Sequence, residues 1–215
     1  MNIKGIFFDF DNTIVDDYLF IIECFNYSFS KAGIVVKPND LEKLIGKSQK
    51  EIIHSFLKTE DLLKNGMKDF DDYYIDNYKK NIKLFEGIYK LLEILSSKYL
   101  LGLITGAPRE KVDLVSEYFN IQNFFSSIIT QNDVSAHKPD PEGVLLTLKK
   151  LNLKSHEIIY IGDADEDIDI LDSIDIKFIK SDWGDRRTFT KQSDTYLSSK
   201  YPLEILKMIK SLEIL

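Results

Sequence analysis

Two aspartates one residue apart, Asp9 and Asp11, end an apolar run near the start of the chain, and more acids follow in Gly162-Asp163-Ala164-Asp165-Glu166-Asp167. Carboxylates gathered in one crevice repel one another, so the set is stable only if a cation neutralises them or some take up protons. Magnesium suits such oxygen ligands, usually a few carboxylates completed by waters and phosphate oxygens. A lysine and a hydroxyl would complete a site for a phosphate dianion, and Lys138 in His137-Lys138-Pro139 and Thr105 in Thr105-Gly106 supply them. Each fragment alone has a plainer reading as a turn, a solvated loop or a helix cap. Agreement among all four is what points to phosphate chemistry.

The elements that must bring these groups together can be read from the hydrophobic pattern. Residues 3–8 are apolar and β-rich, as in a central strand buried on both faces. Over residues 16–84 the apolar positions fall at helical spacing, with breaks near Gly33, Pro38 and Asn65-Gly66, which predicts several helices and no strands. Beyond residue 85, helices over 87–97, 109–119, 142–151 and 166–174 alternate with strands over 100–104, 127–130, 158–161 and 176–179; a short strand at 196–197 and a helix over 202–211 follow. That alternation predicts an α/β fold, a doubly wound parallel sheet, interrupted after its first strand by a helical insertion. The expected domains are a core of residues 1–15 and 85–215 and an α-helical cap of residues 16–84. Ligands of doubly wound sheets gather beyond the carboxyl ends of the strands, and all four polar clusters fall at such ends.

Composition sets the outer limits. A net charge of -7 over 215 residues argues against nucleic acid and anionic membrane as partners, since phosphate backbones demand a surplus of Lys and Arg. It does not argue against a small anionic substrate, because a local site is made positive by a metal ion, one lysine and backbone N–H groups. The single cysteine, Cys24, forms no intramolecular disulfide and falls on an apolar helical pattern, which suits a buried thiol in a reducing, cytoplasmic setting. The apolar run before Asp9 is too short to span a membrane. His54 and His156 have no partners at ligand spacing.

On these residues the chain resembles the haloacid dehalogenase-like hydrolase superfamily, in the branch of phosphoglycolate phosphatases and β-phosphoglucomutases with a helical cap after the first motif. The resemblance extends over nearly the whole chain, through four motifs in order, the run Lys138-Pro139-Asp140-Pro141 and the aromatic-glycine pair Trp183-Gly184. It implies that Asp9 is the nucleophile that becomes an aspartyl phosphate and that Asp11 is the acid and base serving the leaving group and the water. By the same resemblance Thr105, with Gly106 and Thr13, contacts the phosphoryl group, and Lys138 pairs with the nucleophile and phosphate. Mg2+ is expected on Asp9, Asp163 and the backbone carbonyl of Asp11, with Asp167 supporting it. The cap loop Gly46-Lys47-Ser48-Gln49-Lys50 is expected to bring Lys47 and Ser48 to the substrate.

The activity so implied is magnesium-dependent hydrolysis of a small phosphorylated metabolite by a monomer or homodimer. The alternatives are a phosphomutase and a non-catalytic binding protein of the same fold. Asp167, with Gly162 in place of Glu before Asp163, resembles the phosphatases more than the mutases.

Overall fold

The computed structural model describes residues 2–45, 48–184 and 196–214. In chain order the elements are β1 (Gly5–Phe8), β2 (Val15–Asp16), α1 (Tyr18–Lys31), α2 (Pro38–Glu42), α3 (Gln49–Phe56), α4 (Glu60–Asn81) and β3 (Lys83–Leu84). There follow α5 (Ile88–Ser96), β4 (Leu100–Ile104), α6 (Arg109–Tyr118), β5 (Ser127–Ile129), α7 (Glu142–Leu151), β6 (Ile158–Gly162), α8 (Asp165–Asp169), β7 (Lys177–Ser181), β8 (Leu197–Ser199) and α9 (Ile205–Ile214). The chain divides into two compact units, residues 1–16 with 84–215, and residues 17–83.

The larger unit holds a six-stranded sheet in the order β5-β4-β1-β6-β7-β8. Its pairs are all parallel. β1 and β6 are buried throughout, which is why both read as unbroken apolar runs rather than alternating ones. Phe7, Tyr160 and Phe178 stand in register across β1, β6 and β7 and join one apolar cluster with Ile104, Ile129, Val144 and Leu148. Successive connections place β4 and β5 on one side of β1 and β6 to β8 on the other. The strand order therefore reverses at β1, which opens a crevice at its carboxyl end.

The expected helix over 166–174 is instead the short α8 and a 3-10 turn over Ile170–Asp172. Asp167, Ile168 and Ile170 are all buried; Asp167 and Ile170, three apart, can share a face of an α-helix, but Ile168 lies one and two positions from them and off that face, so a regular helix would not bury all three. Like charges at Asp165 and Asp169 also oppose a longer regular helix.

The smaller unit is helical, and two expectations for this stretch fail: β2 and β3 are short strands at its ends where none was expected, and a predicted break is missing. Asn65-Gly66 is not a break; α4 runs through it for 22 residues. Gly66 is a contact point instead. A Cβ there would stand 2.5 Å from Leu57 Cδ1 and 3.0 Å from Ile53 Cγ2, and Ser28 Oγ donates to the Gly66 carbonyl at 2.8 Å. Small size at that turn lets α4 lie close against α1 and the end of α3. Phe25, Phe29, Phe70, Tyr74 and Cys24 are buried in this unit. Among the described residues, no helix is long and apolar enough to cross a membrane.

Candidate active site

Parallel register brings the first motif and the fourth to one level. Phe8 pairs with Ile161 on β6 and with Leu103 on β4, so Asp9 is level with Gly162 and Ile104, and Asp163 and Thr105 come one residue beyond. The Asp9 N–H still donates to the Ile161 carbonyl at 2.9 Å, which fixes its backbone as a continuation of the strand. The chain then turns sharply. The Phe10 carbonyl accepts from the N–H groups of Thr13, Ile14 and Val15, and Asn12 takes a left-handed backbone with φ of 60°, a conformation that Asn tolerates better than most residues.

Asp9, Asp163 and Asp167 each offer a carboxylate oxygen within 4.8 Å of the others, and all three residues are buried. Lys138 joins two of them, donating from Nζ to Asp9 Oδ1 at 2.5 Å and to Asp167 Oδ1 at 2.7 Å. Asp167 is held further by the Tyr160 hydroxyl, which donates to Oδ1 at 3.0 Å, and by the Ala164 N–H, which donates to Oδ2 at 3.2 Å. Gly162 makes this possible: a Cβ on it would lie 2.4 Å from Asp167 Oδ2. Gly before Asp163 and Asp four residues after it are thus one packing requirement, not two independent preferences.

Asp163 is gripped from the first loop. Asn12 Nδ2 donates to its Oδ2 at 2.5 Å and the Thr13 hydroxyl to its Oδ1 at 3.4 Å. Thr13 is fully buried, shares a hydrogen bond with Ser181 Oγ at 3.0 Å, and accepts the Trp183 indole N–H on its carbonyl at 2.8 Å. Its hydroxyl thus faces the Asp163 carboxylate and the Ser181 hydroxyl. The Trp183-Gly184 pair has a local role too, since Gly184 leaves room for the Asn12 amide that a Cβ would meet at 2.7 Å.

The electrostatics of the cluster are unbalanced. Three buried carboxylates face one largely buried ammonium. Burial drives the Asp9 carboxyl well above the usual carboxylate range; Lys138 opposes that, and Asp167, Asp163 and Asp11 add to it. Burial alone would lower the Lys138 ammonium, but Asp167 and Asp9 outweigh it and hold its pKa well above the ordinary lysine value. Lys138 is thus held as a cation, and the remaining excess of negative charge is what a hard divalent cation would neutralise. The donor set therefore fits a magnesium-like ion.

The other expected residues are distributed unevenly. Thr105 is buried and its hydroxyl accepts the Ala107 N–H at 3.0 Å, so that amide is already committed to the turn. Thr105, Gly106, His137 and Lys138 line one small cavity with Thr130 and Asp140. A Cβ on Gly106 would meet nothing within 4 Å, which leaves the backbone there open to approach. The Asp11 carboxylate stands apart from the Asp9, Asp163 and Asp167 group and pairs with Lys111 at 2.8 Å. Ser48 caps α3 in a reciprocal box with Glu51, a structural use that the expected substrate contact did not foresee. Lys47 lies outside the described residues.

Sequence reasoning missed Lys111 and Tyr160, and gave Asn12 and Ser181 no separate role. Two signals were available: a lysine in the first turn of the helix after Thr105-Gly106, where the helix dipole disfavours cations, and a phenol in an otherwise aliphatic buried strand.

Comparison with known proteins follows the same lines. The family described as haloacid dehalogenase-like hydrolase matches residues 6–180. The pyrophosphatase PpaX of Oceanobacillus iheyensis is 27% identical over 214 residues, covering 99% of this chain and 96% of that protein. A phosphoglycolate phosphatase of Yersinia pestis is 28% identical over 174 residues, covering 77% of this chain and 75% of its own. The solved structure of a haloacid dehalogenase-like family hydrolase from Streptococcus pneumoniae superposes with a TM-score of 0.79 at 25% identity, covering 97% of this chain and 99% of that one.

Proposed function

The chain belongs to the haloacid dehalogenase-like hydrolase family and is a phosphatase, and on that premise we propose that it is magnesium-dependent, releasing phosphate from a small phosphorylated metabolite through an aspartyl phosphate on Asp9. The observation that carries this reading is the buried cluster in which one lysine is shared by Asp9 and Asp167 while Asp163 completes a three-carboxylate group.

In the first half-reaction an Asp9 carboxylate oxygen attacks phosphorus, and the bond to the leaving oxygen breaks with its electron pair. Asp11, two residues on and half-exposed, gives that oxygen its proton. In the second, Asp11 takes a proton from water, the water oxygen attacks phosphorus, and Asp9 is released as carboxylate. Lys138 keeps the attacking carboxylate oriented and offsets charge on the phosphoryl oxygens, and Thr105 donates to one of them. Asp9, Asp163 and the backbone carbonyl of Asp11 would hold Mg2+, with Asp167 acting through its bonds to Lys138, Tyr160 and Ala164. The bound ion would neutralise the carboxylates and polarise the phosphoryl group. Both PpaX, a pyrophosphatase, and the phosphoglycolate phosphatase are named for substrates whose departing portion is itself anionic, which supports a small anionic metabolite as the substrate class.

The test is phosphate release from 2-phosphoglycolate, pyrophosphate and a panel of sugar and nucleotide phosphates, with Mg2+ and with EDTA. Turnover of at least one ester in Mg2+ and its loss in EDTA are expected. Absence of phosphate release across the panel would remove the reading.

A stability measurement probes the metal site without turnover. Because the Asp9 carboxyl lies above its usual range in the metal-free fold, the stability this group contributes is fully present below the ordinary carboxylate pKa and is lost as pH rises toward its folded value. A divalent cation held by these carboxylates would take the place of that proton. Mg2+ should therefore raise the unfolding temperature more at pH 8 than at about pH 5. A shift independent of pH would mean the ion binds elsewhere.

A further inference from the structure

Lys111 has no task in the phosphatase reading, yet it stands beside the acid. It lies in the first turn of α6, where the helix dipole disfavours a cation, and its Nζ still donates to Asp11 Oδ1 at 2.8 Å with the side chain only 11% exposed. The turn that carries it is fastened. The Arg109 N–H donates to Asn132 Oδ1 at 2.9 Å, and its guanidinium donates to the Ile128 carbonyl at 3.0 Å and to Asp133 Oδ2 at 2.6 Å. Those bonds tie one side of α6 to the end of β5. Two residues on, about 200° around the helix, Lys111 is aimed the opposite way, across β4 toward the loop after β1, because β4 lies between β5 and β1 in the sheet.

We infer that Lys111 is the specificity residue for the leaving group, meeting a carboxylate or phosphate carried next to the ester oxygen. The inference rests on the proposed phosphatase reading, since the place of Asp11 at the leaving oxygen is what puts Lys111 on that side. When the phosphorus–oxygen bond breaks, its electron pair goes to the leaving oxygen and the proton of Asp11 follows it. An anionic substituent one or two bonds further out then lies close to the ammonium, which is shielded from water and keeps more of its field than a surface lysine does. A neutral leaving group gives Lys111 nothing to meet. Selection by charge therefore acts on the departing half of the substrate, separately from the phosphate grip made by Lys138 and Thr105.

Matched substrates read this directly: 2-phosphoglycolate against 2-hydroxyethyl phosphate, which is of similar size and neutral beyond the phosphate, with pyrophosphate as a third arm to separate phosphate from carboxylate. Lys111→Met should lower kcat/KM for 2-phosphoglycolate on the order of 10- to 100-fold and for 2-hydroxyethyl phosphate by a few fold, so the preference collapses. Lys111→Arg should retain most of the preference. Unfolding temperatures are measured alongside, and if Lys111→Met does not fold, Lys111→Gln and Lys111→Arg decide the ratio. Equal losses on charged and neutral substrates mean that Lys111 only holds Asp11 in place, and overturn the assignment while leaving the phosphatase intact. A parent that prefers the neutral ester overturns it too. A parent that releases phosphate from none of the panel overturns the phosphatase reading and this inference with it.

Discussion

Asp9→Asn is expected to stop turnover, lowering kcat/KM by about 10⁴-fold or more, and at the same time to raise the unfolding temperature of the metal-free protein. The loss follows from the role: an amide oxygen does not form an acyl phosphate, and Asp11, the next carboxylate of the loop, is paired with Lys111. The gain follows from the electrostatics. Asp9 is buried beside Asp163 and Asp167, and its carboxyl is pushed well above the usual range, first by burial and then by those neighbours, despite Lys138. In the metal-free fold its charged form is therefore disfavoured relative to the unfolded chain. The sign gives a pH signature: the stability that Asp9 contributes is present below the ordinary carboxylate pKa and declines as pH rises, so the advantage of Asn widens toward alkaline pH. The pair of measurements is phosphate release and a thermal unfolding series from acid to alkaline pH, both for parent and variant. A variant that retains activity would dismiss Asp9 as nucleophile. One that loses activity and stability together would mean that the carboxylate holds the fold.

Residue types at strand ends were legible in the sequence, and the partners of their side chains were not. The parallel sheet was legible because its central strands are buried on both faces and so read as unbroken apolar runs, as at Ile158–Gly162. Gly66 misled for a physical reason. From sequence a glycine in a helical pattern reads as a stop, whereas here its missing side chain is what admits Leu57 and Ser28. The acids of the first and fourth motifs were visible as residue types at strand ends. Their partners were not, because the direction of a side chain from a helix or a buried strand depends on the packed fold. Tyr160 reads as one more core aromatic until β6 is placed beside β1 and its hydroxyl meets Asp167. The contacts of Thr13 with Ser181 and Asp163 likewise exist only once the turn around Phe10 has formed.

Lys138→Met should cost both activity and stability. The ammonium is the cation that Asp9 and Asp167 share, and burial would expel it as a neutral amine were those two carboxylates not holding its proton. Removing one partner from a buried ion network leaves the others uncompensated, which costs about 3–5 kcal/mol. That is a large share of the roughly 5–15 kcal/mol by which domains are stable. Methionine fills a similar volume, so the loss should come from charge and not from a cavity. Turnover should fall about 10²- to 10³-fold, as when a donor to a developing charge is removed. The two losses can be separated. Adding Asp167→Asn to Lys138→Met removes one of the orphaned charges and should restore part of the stability, a non-additive result diagnostic of direct coupling, while activity stays low. Mg2+ should also rescue the stability of the single variant more than that of the parent, because the ion then answers for the missing ammonium as well as for its own carboxylates. Additive unfolding energies in the double variant would break the link between Lys138 and Asp167. Full activity in Lys138→Met would leave the three carboxylates to the metal alone, and would make the lysine a structural counter-ion.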